Sequence, residues 1–288
     1  MSRIPSELKA KSQLSKEEWR EFTKTVWKIP NVTNQHHPAV FPVEVPRRLI
    51  KLFSFWGETV LDPFGGMGSS AVAALSEGRK ALCVDQNREY VERMVERVSS
   101  EAPGKEELFD ARLGDARDLS HIEDNSVDLI VTSPPYWDKA DYGGEDNDLG
   151  ALPSYVDFLG EMRTALAECY RVLRPGRKLC LVTANVNQMT DHGLLTFPLS
   201  SDLSTIMREL GLVMINEVIW TKDGTGGRWG SANGQRPIFG SYPYPPNFLF
   251  KNVHEYIIVF AKPSGVASKG AKVRRYDDLM TPTMLAAE

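Results

Sequence analysis

The sequence predicts an α/β chain built on a doubly wound, mainly parallel sheet of seven strands. Three observations point there. Short apolar runs alternate with segments of helical periodicity from Thr59 to Lys262, a glycine-rich turn follows the first run, and paired prolines close the fourth. In such sheets ligands sit at the carboxyl ends of the strands.

The elements follow in order. A helix is predicted over Ser15 to Thr25, started by Ser15 with Glu18 three residues on, which is the capping-box spacing. An irregular stretch, VWKIPNVTNQHHPAVFP, leads to a second helix over Val45 to Phe55. TVLDPF reads as the first strand, SSAVAALSEG as a helix ended by Gly78, and KALCVDQN as the second strand. REYVERMVERVSS is a helix, LFDARLGDARDL holds the third strand, and SVDLIVTSPPYW is the fourth, stopped by prolines that cannot continue a ladder. YVDFLGEMRTALAECYRVL is a helix, RKLCLVTAN the fifth strand, LSTIMRELG a helix, LVMINEVIWTK the sixth strand and HEYIIVFAK the seventh. No repeat or long linker interrupts this order, so residues 1–288 are read as a single domain.

Composition bounds the function. With 288 residues, 42% hydrophobic and 25% charged, the chain can bury a full core and is neither disordered nor fibrous. No window reaches the roughly 18 apolar residues of a membrane span, and the N-terminus is polar, so a cytoplasmic protein without a membrane partner is expected. Cys83, Cys169 and Cys180 form no CxxC pair and lie in or beside apolar runs, which predicts buried thiols and no metal site. The net charge of -4 hides an asymmetry: residues 1–60 carry +4, residues 61–160 carry -12 and residues 161–288 carry +4. The flanks could hold a polyanion while the acidic middle does other work.

Chemistry concentrates at the predicted strand ends. The turn Asp62-Pro63-Phe64-Gly65-Gly66-Met67-Gly68 lets backbone approach a ligand and opens a helix N-terminus. Asp85 follows Gly68 by 17 residues, near the spacing at which a carboxylate meets ribose hydroxyls. The pattern is not GxGxxG, so a nucleoside cofactor without a pyrophosphate fits better than a dinucleotide. Asp115, after the third strand, is a third polar group on this edge, with a helix N-cap as its alternative reading. Thr132-Ser133-Pro134-Pro135-Tyr136-Trp137 combines a hydroxyl, unpaired carbonyls and rings, which suits a flat base carrying an amino group.

These motifs carry a resemblance. DPFGGMG followed by TSPPYW, with HHPAVFP before the first and HEYIIVFAK at the end, resembles the SAM-dependent DNA amino-methyltransferases over about residues 26 to 263. The Ser-Pro-Pro-Tyr form resembles the cytosine-N4 members, and the motif order reads as a circular permutation of the commoner arrangement. The resemblance implies a Rossmann-like, class I methyltransferase fold with S-adenosyl-L-methionine as cofactor. It implies that Phe41, Asp62, Pro63, Phe64, Gly65, Gly66 and Gly68 line the methionine end, that Asp85 takes the ribose and that Asp115 takes the adenine amino group. Ser133, Pro134, Pro135 and Tyr136 would hold and activate a flipped-out cytosine of DNA. His36 and His37 lie near this site and are read as structural or surface residues.

The expected activity is therefore site-specific methylation of cytosine N4 in DNA, as part of restriction-modification. Adenine-N6 methylation, RNA base-amine methylation and a silent SAM- or DNA-binding module are the rivals. Methylation of a ring carbon would need a cysteine nucleophile, usually after proline, and here Leu82, Glu168 and Leu179 precede the three cysteines. Lys222, Arg228 and Arg236 are the candidate DNA contacts, in an insertion over residues 221–250 that is long for a compact domain. The expectation leaves room for a cognate restriction endonuclease and for a monomer or a homodimer.

Overall fold

Strand β5 (Val127–Thr132) is buried along its whole length, and its side chains alternate between two apolar layers. Leu129 and Val131 join one layer and Ile130 the other. Strands β6 (Leu173–Thr183) and β10 (His254–Ala261) divide in the same way: Cys180, Val182, Ile257 and Val259 on one side, Leu179, Leu181, Ile258 and Phe260 on the other. A strand covered on both faces needs apolar residues at every position, which is why these segments read as continuous apolar runs.

The structure, a computed structural model, describes residues 4–31, 42–137, 148–222, 252–266, 274 and 276. Helices α3 (Glu44–Phe53), α4 (Ser69–Ser76) and α5 (Arg88–Glu101) cover the first layer with Leu49, Ile50, Ala71, Leu75, Met94 and Val98. Helices α6 (Tyr155–Val172) and α7 (Leu199–Glu209) cover the second with Phe158, Met162, Leu166, Leu203 and Met207. All three cysteines are buried in these layers, as expected.

The remaining strands of the main sheet are β1 (Val26–Lys28), β2 (Thr59–Asp62), β3 (Lys80–Asp85), β4 (Phe109–Leu113) and β9 (Val213–Thr221). The order is β1-β9-β10-β6-β5-β2-β3-β4, and β10 is the strand that runs antiparallel to its neighbours. The chain winds outward from β2 through β3 to β4, then returns to β5 on the other side of β2. A crevice therefore opens at the carboxyl ends of β2 and β5. This is the class I methyltransferase arrangement.

Among the described residues the sheet has eight strands rather than seven. The stretch read as irregular begins with β1, which pairs parallel to β9. Trp27 is buried there and donates to Phe22 O, while Trp220 donates to Ile29 O. A second difference is an antiparallel hairpin of β7 (Val186–Thr190) and β8 (Gly193–Phe197), inserted between β6 and α7. A third is the short helix α1 (Ser6–Lys11). Helix α2 (Lys16–Phe22) has the capping box that Ser15 and Glu18 predict, and it stops three residues short of Thr25. Among the described residues, no helix is long and apolar enough to cross a membrane.

Candidate active site at the ends of β2 and β5

Asp62 ends β2 and is almost fully buried. Its Oδ1 accepts from the Phe64 N–H at 3.1 Å and from Thr132 Oγ1 at 2.7 Å, and its Oδ2 accepts from Ser70 Oγ at 2.5 Å. One carboxylate thus ties the glycine turn, the first turn of α4 and the end of β5 together. Burial pushes its pKa up to about 7, against the pull of these hydrogen bonds. Asp62 therefore supports the turn from beneath.

The turn packs directly on α5. A side chain at Gly65 or Gly68 would meet the Met94 side chain at 2.7 or 2.6 Å, and Gly68 has a φ of +74°. Arg97 of α5 donates to Met67 O at 2.9 Å, which clamps the turn from the same side. Pro63 and Gly66 are buried, and half-buried Phe64 leans on the α6–α7 layer.

Asp85 ends β3 and faces the same turn. Its Oδ2 accepts from the Gly66 N–H at 2.7 Å and its Oδ1 from the Asn87 N–H at 2.9 Å. Burial raises its pKa. Asp115, after β4, is ion-paired: Arg117 engages both its oxygens, at 3.0 Å on Oδ1 and 2.5 Å on Oδ2, and Glu161 joins the pair at 2.8 Å. Its carbonyl accepts from the Asp118 N–H and its Oδ1 from the Arg117 N–H, closing a turn at which no helix begins among the described residues.

Beyond Thr132 lies the Ser-Pro-Pro-Tyr segment. Ser133 is half-exposed and its Oγ lies 3.2 Å from the Tyr136 hydroxyl. Tyr136 is buried and donates to Glu255 Oε2 at 3.1 Å. Glu255 Oε1 is ion-paired with Lys222, whose ammonium sits 4.5 Å from the Trp220 ring centroid. Pro134 is buried and Pro135 half-buried. Trp137 is held at a φ of +53°, a left-handed conformation rare for a bulky residue. Its indole donates to Leu152 O at 2.9 Å and packs between Tyr155 and Phe197, each about 5 Å away. The β7–β8 hairpin supplies Phe197, so that insertion buttresses the segment.

Residues 2–96 and 127–279 match the DNA methylase family. The chain belongs to that family. It is 45% identical over 84 residues to the type II methyltransferase M.BglI of Bacillus subtilis, covering 28% of this chain and 24% of that protein. It is 40% identical over 171 residues to the type II methyltransferase M.MjaI of Methanocaldococcus jannaschii, covering 52% and 54%. A putative DNA modification methylase from Thermus thermophilus, solved in complex with S-adenosyl-L-methionine, is 30% identical over 58% of this chain and 63% of that one, with a TM-score of 0.40. The chain thus spans between a quarter and somewhat under two thirds of these relatives. S-adenosyl-L-methionine is the cofactor of this family.

The fold brings the glycine turn, Asp85 and the Ser133–Tyr136 segment to one edge of the sheet. Lys222, a candidate DNA contact, is ion-paired with Glu255 and lies against the Trp220 ring. Phe41, His36, His37, Arg228 and Arg236 lie outside the described residues, as does the insertion apart from Thr221 and Lys222. Glu255 is the site residue that sequence reasoning missed. Its only signal is a carboxylate one residue into an otherwise apolar strand, HEYIIVFAK. Thr183, at the end of β6, has a buried hydroxyl with no hydrogen-bond partner among the described residues.

Proposed function

We propose that this methylase moves a methyl group from S-adenosyl-L-methionine to the exocyclic N4 of cytosine in DNA. The observation that carries the reading is a half-exposed Ser133 hydroxyl one residue beyond Thr132, whose own hydroxyl is fixed to Asp62 under the glycine turn. Base-binding and cofactor-binding segments are thereby locked to each other.

The donor set fits the cofactor. A carboxylate offers about four lone-pair positions, and Asp85 spends one on each oxygen, which leaves acceptors for two neighbouring ribose hydroxyls. Helix α4 starts at Gly68 with no side-chain cap and no acidic residue in its first turn. Its positive end suits a carboxylate at the methionine end. Phe64, Gly65, Gly66 and Gly68 complete the proposed contacts, with Pro63 shaping the turn and Phe41 carried over from the family resemblance. Asp62 and Asp115 are left out, because their oxygens are engaged within the protein.

The bound cofactor supplies an electrophilic methyl carbon on a sulfonium. The cytosine amine is a poor nucleophile because its lone pair is conjugated into the ring. Hydrogen bonds from the two N4 hydrogens to Ser133 Oγ and the Pro134 carbonyl favour a tetrahedral nitrogen whose lone pair meets that carbon. The N–C bond forms as the S–C bond breaks, its electron pair stays on sulfur, and one N4 proton leaves to water. Positioning supplies most of the rate, and no covalent enzyme intermediate is needed. Reaching N4 requires the base to leave the stack, at a cost of a few kcal/mol. Arg228 and Arg236 are proposed to supply part of the compensating grip on DNA. Incubation with methyl-labelled S-adenosyl-L-methionine tests the reading: label is expected in DNA and not in RNA, and label in RNA alone or in neither polymer overturns it.

A further inference from the structure

Four side chains from three separate segments form one hydrogen-bonded line at the proposed base pocket: Ser133, Tyr136, Glu255 and Lys222. We propose that Glu255, held by Lys222, fixes the direction of every hydrogen in this line, so that Ser133 shows only lone pairs to the base and selects an amine over a carbonyl oxygen. The proposal deepens the functional reading above and rests on Ser133 being the group that meets the target amine.

The direction follows from counting hydrogens. Glu255 is buried and ion-paired with Lys222 through Oε1, and an ionised carboxylate has acceptors and no donor. The single hydroxyl hydrogen of Tyr136 therefore goes to Glu255 Oε2, at 3.1 Å. Toward Ser133, 3.2 Å away, Tyr136 can then only accept. That commits the Ser133 hydrogen to Tyr136 and leaves the Ser133 lone pairs for whatever enters the crevice. An N–H there is received, whereas a carbonyl oxygen meets lone pairs and finds no donor. A carbonyl oxygen left unpaired there loses its hydrogen bond to water without replacement, which is enough to reject thymine or uracil in a pocket that receives an amine.

Lys222 is part of the device rather than a DNA contact. It lies just past the end of β9, its ammonium rests 4.5 Å from the Trp220 ring centroid, and Glu255 lies opposite Trp220 in the β10–β9 ladder. The sheet register itself thus brings the cation to the carboxylate. Glu255 and Lys222 act through Tyr136 and are positioning residues.

The test compares duplexes of the site that the wild-type protein methylates, bearing either the target base or its carbonyl analogue, uracil for cytosine or hypoxanthine for adenine. Dissociation constants are read by fluorescence anisotropy with the cofactor present. The wild type should prefer the amine by about tenfold or more. Glu255→Gln can donate to Tyr136 and reverse the line, so the preference should fall to about twofold or less while affinity for S-adenosyl-L-methionine stays within about twofold. Because that variant strands a buried ammonium, Glu255→Gln with Lys222→Met removes both charges, and Tyr136→Phe breaks the line with the ion pair intact; both should lose the preference too. A wild type without preference, or folded variants that all retain it, overturns the inference. If Ser133→Ala loses the preference while Glu255→Gln and Tyr136→Phe keep it, the polarity argument alone fails. If Ser133→Ala also keeps both preference and rate, the reading of Ser133 as the amine contact falls with it.

Discussion

Thr132 donates to Asp62 across the β5–β2 boundary at 2.7 Å, and this bond joins the segment proposed to hold the base to the turn proposed to hold the cofactor. Asp62 accepts it from full burial, with its pKa raised to about 7. The folded state therefore holds the Asp62 proton more tightly than the unfolded chain does. That contribution to stability is fully present below the ordinary carboxylate pKa and is lost as pH rises to about 7. Asp62→Asn mimics the protonated form and does not titrate. The melting temperature of the variant relative to wild type should rise steadily from pH 4 to about pH 7 and then level off. A difference that stays flat across that window would mean that Asp62 titrates like an exposed carboxylate.

Asp85 is expected to serve the cofactor directly. Asp85→Ala should weaken S-adenosyl-L-methionine binding by about tenfold or more, equivalent to about 1.4 kcal/mol, and the protein should stay folded. Titration calorimetry checks this. Equal affinity in wild type and variant would move the ribose elsewhere.

Lys222 separates a structural cation from a DNA contact. Lys222→Met should cost about 3 to 5 kcal/mol of stability in urea denaturation, because it leaves Glu255 buried without its partner. The salt dependence of DNA binding should not change. A flatter salt dependence with normal stability would restore Lys222 to the DNA-binding set.

Arg228 and Arg236 carry the opposite expectation. Replacing either with alanine should leave cofactor affinity unchanged and weaken DNA binding. A lost phosphate contact should lower the salt slope by about 1, whereas a lost base contact should cost about 1 to 3 kcal/mol and relax the choice of site. If both variants methylate the same sites at the same rate across a salt series, recognition lies elsewhere, with residues 138–152 as the next candidate.

The main sheet was legible because β5, β6 and β10 are covered on both faces and must be apolar throughout, and because helix periodicity separates them. Strand β1 was not legible: three residues are too few to show alternation, and Trp27 is buried where β1 pairs with β9, a pairing that only the fold creates. The hairpin of β7 and β8 carries polar and apolar residues without clear alternation, and its exposed Met189 and Leu195 hide the pattern further. At the site, residue types were legible and their partners were not. DPFGGMG and SPPY announce a crevice by spacing, yet nothing local distinguishes an Asp62 that turns inward from one that meets a ligand. Glu255 lies 119 residues from Tyr136, so their hydrogen bond depends on strand order and register. Lys222 sits among basic and aromatic residues that read as a DNA-binding loop, and only β10 beside it supplies the buried carboxylate.

Mass spectrometry of nucleosides from mixed DNA treated with labelled S-adenosyl-L-methionine tests the central claim most directly, with wild type and Ser133→Ala side by side. The account predicts labelled N4-methylcytosine from the wild type and at least about a hundredfold less from the variant, as expected when a group acting on the reacting atoms is removed. Cofactor affinity should be equal in the two proteins. Labelled N6-methyladenine without N4-methylcytosine, or undiminished transfer by Ser133→Ala, would contradict it.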